Sequence, residues 1–406
     1  MKAYVVARGQ PIAPFGEPAA RLEIGLRPWG EAQADLLRSF GLEVVPVARL
    51  EDVPGDAPRV VTFDDVYFTR RVLKSLLALW KKAGQPASQV GLPSDSCFVR
   101  QFSDLLTLRA AEGLTLYDLY ALPAGADLAD ARPLAVVFKE REVRVPIPAQ
   151  VTGHEAWVHP ITTSVCLHLE HWLHVLQASR LAIQVAWVDA VVARPWWGAW
   201  LVLKALWPGR GRLLWRLLGR ANRIGRGVDI HPTARVEGCI IGDGAKIGAQ
   251  ALVRGALIGA GAVLEDRCNV AYSVVGPRSF VSKYTLIYTS ALMAEANVGM
   301  SMQMCLVGRR AALTPRATPI DVQPGGKVRV KHKGAFVPVD LPVLGSCYGH
   351  DTFVGADVYI GAGRALPNGT RLGPAPERVL RDIPDEVDPE AVYVVRDGAL
   401  VPLRRG

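Results

Sequence analysis

IGRGVDIHPTARVEGCI (Ile224–Ile240), IGDGAKIGAQALVRGAL (Ile241–Leu257), IGAGAVLEDRCNVAYSV (Ile258–Val274) and VGPRSFVSKYTLIYTSAL (Val275–Leu292) follow one another without a break. Three of these units are 17 residues long and the last is 18. Within them an aliphatic residue returns about every six positions: Ile241, Ile247, Val253, then Ile258, Leu264, Val270, then Val275, Val281, Ile287. That spacing fits neither the helical period of about 3.6 nor the strand period of 2. It fits short strands joined by tight corners, three to a coil. The aliphatic side chain points inward and the next residue, Gly or small, takes the corner where a Cβ would crowd. One unit cannot bury its own apolar face, so the units must stack.

Composition bounds the rest. The chain has 406 residues, room for two or three domains, and 50% of them are hydrophobic. The first thirty residues carry no signal-peptide pattern, and no run of about twenty apolar residues predicts a spanning helix. Six cysteines lie far apart with no CxxC pair, which argues against a zinc site or disulfide framework and for a reducing cytoplasm. The net charge is +9, yet eight basic residues and no acid fall between Arg194 and Gly227, leaving about +1 for everything else. The positive charge is local, so no nucleic-acid partner is expected.

Residues 1–190 read as α/β. Ala3–Ala7, Val44–Val47, Val60–Thr62 and Leu134–Phe138 read as buried strands, and Glu31–Phe40 and Thr69–Ala83 as helices between them. The alternation predicts a mostly parallel sheet. Three stretches here, MKAYVVARG (Met1–Gly9), RPWGEAQADLLRSFGLEV (Arg27–Val44) and VVTFDDVYFTRRVL (Val60–Leu73), resemble sugar-1-phosphate nucleotidyltransferases. The resemblance puts that family's metal-binding aspartate at Asp65, with Mg2+ implied only if the domain is active. The family's glycine-rich loop with its Arg, and the Pro-Lys motif after it, are missing. Gln10–Ala20 (QPIAPFGEPAA) has one Gly and no basic residue. Without backbone N–H groups and a cation around the phosphates, phosphoryl transfer loses its stabilisation. The domain reads as degenerate, and Asp65 as a vestige or a strand-end Asp.

His168, His171 and His174 stand at helical spacing, read as histidines packed on one helix, with metal ligation as the alternative. Residues 191–223 read as a basic connecting helix holding five of the ten tryptophans: Trp196, Trp197, Trp200, Trp207 and Trp215. Trp196, Trp200, Leu203 and Trp207 share one helical face. Two readings stand: a helix packed between domains, or peripheral membrane contact through 196–222.

The repeat units resemble the left-handed parallel β-helix of hexapeptide-repeat acyltransferases. With IYTSALM (Ile287–Met293), QMCLVG (Gln303–Gly308) and KVRVKHKGAFVPVDLPVLGSCYG (Lys327–Gly349), the resemblance extends to the acetyltransferase half of N-acetylglucosamine-1-phosphate uridyltransferase/acetyltransferase and its archaeal relatives. It covers residues 224–371 and implies a homotrimer binding acetyl-CoA or another acyl-CoA between coils. The family's catalytic histidine falls at Gln303, which cannot act as a base but can donate a hydrogen bond to an oxyanion. Its sugar-phosphate lysine falls at Tyr288. Lys327, Arg329 and Lys331 could meet a phosphate, and His332 or His350 could supply a base.

The expected fold class is therefore an α/β nucleotidyltransferase-like domain (1–190), the connecting helix (191–223), an all-β left-handed parallel β-helix (224–375) and a tail (376–406) with a hairpin over Val392–Val401. Two functions are expected. One is acyl transfer to a phosphorylated or nucleotide sugar for cell-envelope or glycan synthesis. The other is a catalytically inactive trimeric scaffold or sensor for the same ligands. The expected place is the cytoplasm, with the inner membrane face as a peripheral station.

Overall fold

The computed structural model describes residues 1–153, 155–193, 221–323, 326–380 and 391–402, with isolated positions at 196, 198–200, 203, 219, 384 and 387–388. The N-terminal sheet is built from β1 (Lys2–Val6), β2 (Glu43–Val47), β3 (Arg59–Phe63), β4 (Ser88–Pro93), β5 (Leu114–Leu122) and β6 (Arg132–Ala135), in spatial order β6-β4-β5-β3-β1-β2. A short strand, Ala110–Ala111, adds to β5. Helix α1 (Trp29–Arg38) and helix α2 (Arg70–Lys82) lie where the sequence put them. α2 buries Val72, Leu73, Leu76 and Trp80, one stripe at spacings of three and four.

The expectation of a mostly parallel sheet needs correcting. β1 pairs parallel with β2 and β3, and β6 with β4, but β5 runs antiparallel to both β3 and β4. β5 is the longest strand of the sheet, and the alternating reading passed over it. The histidine reading also changes. His168 ends the strand Cys166–His168, and the next helix, α3 (Trp172–Ala193), starts after His171, so the three do not share a helix. All three are buried.

The C-terminal half is a stack of parallel coils forming three sheets. Two have eight strands, running from Arg223–Ile224 to Ala365–Leu366 and from Asp229–Ile230 to Arg371–Leu372; the third has five, from Arg235–Glu237 to Met302–Gln303. Ile241, Ile258, Val275, Leu292 and Val307 stack in register through the first sheet. Their side chains fill the interior with Ile247, Leu264, Val281 and Val253, Val270, Ile287 from the other two. Glycine serves two purposes here. A Cβ on Gly242 would lie 2.6 Å from the Ala260 backbone N of the next coil, so close stacking excludes it. Gly244 and Gly261 instead hold left-handed corners; in later coils Arg278, Glu295, Arg310 and Asp351 take that conformation. There the ion pairs Arg278–Glu295 and Arg310–Asp351 run from corner to corner. The coil path leaves the prism once, where Arg329–His332 and Ala335–Pro338 form a hairpin. The tail carries the expected hairpin, Tyr393–Arg396 with Ala399–Pro402, turning at Asp397-Gly398.

The two halves share one core. Outward-facing Leu257, Val274, Ala291, Leu306 and Cys347 of the first sheet are buried in the same apolar cluster as the N-terminal sheet and α3. α3 rests on this face, with Trp187 Nε1 donating to Gly238 O at 3.0 Å. By length and composition the stretch Trp172–Val192 could cross a membrane, contrary to the sequence expectation, but half of it is buried inside the chain. It is the helix that joins the two cores.

Candidate functional site

Three groups of residues bear on function. The first lies where the parallel strands of the N-terminal sheet end. Asp65 follows β3, Arg8 follows β1, and Asp118 projects from β5. The Arg8 guanidinium donates from one Nη to both Asp65 oxygens, at 3.2 and 3.0 Å, and from the other Nη to Asp118. It also stacks 4.0 Å above the Phe63 ring centroid. Tyr120 donates its hydroxyl to Asp118 at 2.7 Å, and His168 Nε2 accepts the Asp118 backbone N–H at 3.1 Å. Burial pushes the Asp65 carboxyl up to about 6 against the pull of Arg8. At Asp118 burial acts the same way, but His168, Arg8 and Tyr120 outweigh it and hold the carboxyl low. The carboxylate pair is thus already neutralised by a tethered cation. Among the described residues no group of three or more His, Cys, Asp or Glu could hold a metal ion. Asp65 and its neighbours do not fit Mg2+, because the guanidinium takes the oxygens a metal would need. Beside this cluster a cleft of about 460 Å³ opens at the ends of β1 and β2, lined by Val5, Ala7, Ala20, Gln33, Val47 and Asp64. It sits where the chain passes from β2 on one side of β1 to β3 on the other, a common place for ligands in open α/β sheets.

The second group is the loop that stands in place of a glycine-rich cradle. Pro11–Ile12 pairs with Glu17–Pro18, and Ile12 and Phe15 are buried. Glu17 is bonded to Arg309 and to His350 Nε2, the latter at 3.0 Å. Arg309 also reaches Glu23 at 3.3 Å and the Arg21 carbonyl at 3.2 Å. His350 Nδ1 accepts the Arg309 backbone N–H at 2.9 Å, so the ring proton sits on Nε2 and is donated to Glu17. Asn368 Nδ2 donates to Phe15 O at 2.7 Å. The loop has become a clasp that fastens the α/β domain to the β-helix. Burial, with Arg309 alongside, lowers the His350 pKa to about 4.

The third group is on the third sheet. Tyr288 and Gln303 are register partners on neighbouring coils and project from the same face. Both are half-buried. The Tyr272 and Tyr288 rings meet edge-on, 5.9 Å apart. Burial, then Tyr272, raises the Tyr288 phenol pKa, and Arg180 opposes them. The basic segment lies on the protruding hairpin. Lys327 pairs with Asp340 at 2.8 Å, and Arg329 donates to Phe336 O at 2.7 Å. Lys331 is exposed, while its carbonyl meets His171 Nε2 at 3.2 Å. His332 faces the His171 ring at 5.7 Å, and burial lowers its pKa, with Lys333 adding to the effect.

The structure therefore brings Tyr288 and Gln303 together and distributes the other residues singled out from the sequence. Arg329, Lys331 and His332 belong to the hairpin and Lys327 to the chain just before it, His350 to the clasp and Asp65 to the sheet end. Sequence reasoning missed Arg8, Asp118, Glu17 and Arg309, because each acquires its partner from a distant segment. Residues 197 and 204–218, with Trp197, Trp207 and Trp215, lie outside the described residues; Trp196, Trp200 and Leu203 are exposed. No family model matches the chain, and no curated protein matches it.

Proposed function

We propose that the protein transfers an acyl group from acetyl-CoA or another acyl-CoA to the amine of a phosphorylated or nucleotide sugar, in the cytoplasm, for cell-envelope or glycan synthesis. The observation that carries this reading is the pairing of Tyr288 with Gln303 on adjacent coils of the third sheet. These are the two positions at which the family resemblance expects acceptor binding and catalysis. The coil is left-handed and the chain trimeric in this reading. The first sheet's outer face is covered, so the second and third are left for neighbouring copies. The second presents a largely apolar row, Val263, Phe280, Ala312 and Phe353, along its outer face, broken by exposed Asn297 between Phe280 and Ala312.

Gln303 sets the mechanism. Its carboxamide donates a hydrogen bond to the oxyanion that forms when the amine adds to the thioester carbonyl. No histidine takes the proton, since His350 is held in the clasp and His332 on the hairpin. The acceptor attacks as its free amine, and its proton leaves with the departing coenzyme A thiolate. The test is release of coenzyme A from acetyl-CoA in the presence of glucosamine 1-phosphate. Gln303→Ala should lower the rate by roughly one to three orders of magnitude, the range for loss of one oxyanion donor. No turnover above the buffer rate would sink the reading.

One observation favours the scaffold alternative. Arg8 neutralises the carboxylates at the sheet end, and Lys327 and Arg329 are spent on internal partners. That reading expects acyl-CoA or nucleotide-sugar binding by a folded trimer with no turnover.

A further inference from the structure

α3 carries one arginine along its buried length, Arg180, which is only 7% exposed. Its guanidinium lies over the Trp157 ring, 4.8 Å from the centroid, and acts electrostatically on His159 and Tyr288. Among the described residues it has no carboxylate partner and no hydrogen bond. The connecting segment 194–220 contains no acid that could pair with it. A buried unpaired charge is costly, and an arriving counter-charge would relieve that cost. Here burial drags even this guanidinium down to about 10.

Its surroundings point the same way. Gln184 Nε2 meets His159 Nε2 at 3.2 Å, and His159 Nδ1 is buried without a partner. With the amide donating, the neutral ring must carry its proton on Nδ1, a second unused donor beside the guanidinium. Tyr288, with its ring against Tyr272, interacts electrostatically with Arg180. Gln184 Oε1, on the amide that meets His159, is a buried acceptor without a partner, and among the described residues no carboxylate pairs with the guanidinium.

We propose that Arg180 anchors an oxyanion of a small ligand in the seam between α3, the strand Ala156–Ile161 and the Tyr288 coil. The guanidinium fork binds two oxygens, and His159 Nδ1–H and the Tyr288 hydroxyl serve the others. The chemistry fits a phosphate monoester or a carboxylate. The inference rests on the acyl-transfer reading for the rest of the ligand, a sugar phosphate, whereas the oxyanion rests on the guanidinium alone. α3 thereby supplies a cation next to Tyr288, the position at which the repeat itself has none.

The test is calorimetric titration of the full chain with inorganic phosphate and, separately, with acetate at matched ionic strength. Binding of one equivalent of either anion is expected; preference for phosphate assigns a phosphate monoester, and preference for acetate a carboxylate. Arg180→Met should weaken binding about 10- to 100-fold, the loss of one charge-assisted bidentate contact. The same variant, free of anion, should melt higher than the native protein, because an apolar side chain replaces an unpaired charge. Arg180→Lys keeps the charge without the fork and should bind about tenfold more weakly, which tests the site if the Met variant does not fold. Neither anion binding the native chain, or equal binding by the native chain and either variant, overturns the proposal. Neither result depends on turnover, so failure of acyl transfer alone leaves the site standing.

Discussion

Acid should unfold this protein with a midpoint above about pH 4.5. Five histidines are held in the neutral form, four buried and His159 partly buried. Burial lowers His168, His171 and His350 to about 4, and His159 and His174 to about 3. Four of them accept a backbone N–H through a ring nitrogen: His168 from Asp118, His171 from Leu173, His174 from Glu170 and His171, and His350 from Arg309. Protonation would turn each acceptor into a donor facing a donor. A base whose folded pKa lies below its unfolded value contributes stability above the unfolded value, and loses it as the pH falls. The unfolded chain takes up these protons near 6.5, the ordinary histidine value, while the folded chain does not. Glu23 and Asp65 act oppositely. Burial raises both to about 6, so they favour the folded state at low pH and lose that contribution as the pH rises through 6. The remaining carboxylates split, with Asp104, Asp189 and Asp321 raised and Asp118 and Glu237 lowered. Near pH 5.5 the unfolded chain therefore binds about three more protons than the folded one. At about 1.4 kcal/mol per proton per pH unit, stability falls by about 4 kcal/mol for each unit of acidification. A stability of about 5–10 kcal/mol, the lower part of the ordinary range, is exhausted within about two and a half units below neutrality. Far-ultraviolet circular dichroism and tryptophan fluorescence should show a cooperative acid transition with its midpoint above pH 4.5. A native signal persisting to pH 4 would refute the neutral histidine cluster.

Arg309→Met should destabilise the protein by about 2–5 kcal/mol, because Glu17 and the nearly buried Glu23 lose their cation; amide hydrogen exchange across residues 11–24 should accelerate, and unchanged exchange would dismiss the clasp. No pyrophosphate should be released from any nucleoside triphosphate with a sugar 1-phosphate, since Arg8 fills the carboxylate pair; release that disappears in Asp65→Ala would restore nucleotidyl transfer to this domain. Light scattering at micromolar concentration should report three chains, and a monodisperse monomer would remove any site built between copies. Sedimentation with anionic vesicles, weakened by salt and by replacing Arg212, Arg216 and Arg220 with Gln, is the expectation if 196–222 meets a membrane; no binding at low salt leaves only packing between domains.

The β-helix was legible because its period is written in side chains that all do the same job. Ile241, Ile258 and Val275 recur at one spacing, and each needs only the next coil as its partner. The α/β half was harder. α1 and α2 announce themselves by amphipathic spacing, but β5 does not alternate, because Leu116, Tyr117, Leu119, Tyr120 and Ala121 are buried on both faces of a central strand. At the candidate sites the sequence named Tyr288 and Gln303 through its resemblance to the acetyltransferases; the repeat period of 17 alone would not pair them, since they lie 15 residues apart. It could not name the clasp, whose Glu17 and Arg309 are 292 residues apart. Arg180 left a trace that local reasoning can use: one arginine among Leu176, Ala178, Leu181 and Ile183. Spacing suggested that His168 shared a helix with His171 and His174, and tertiary pairing of Cys166–His168 with Val66–Phe68 overrode it.

The claim that this β-helix transfers acyl groups without a catalytic base is tested most directly by the pH dependence of kcat/KM for coenzyme A release with glucosamine 1-phosphate, in the native protein and in Gln303→His. The measurement is confined to pH values above the acid transition. Without a base, the native rate should climb with pH until the acceptor amine is itself deprotonated, with no inflection between pH 6 and 7. Gln303→His should be faster and should acquire that inflection, because an imidazole titrates there. An inflection near pH 6.5 already present in the native enzyme, or a Gln303→His protein that folds and binds acyl-CoA but shows no gain, would contradict the account.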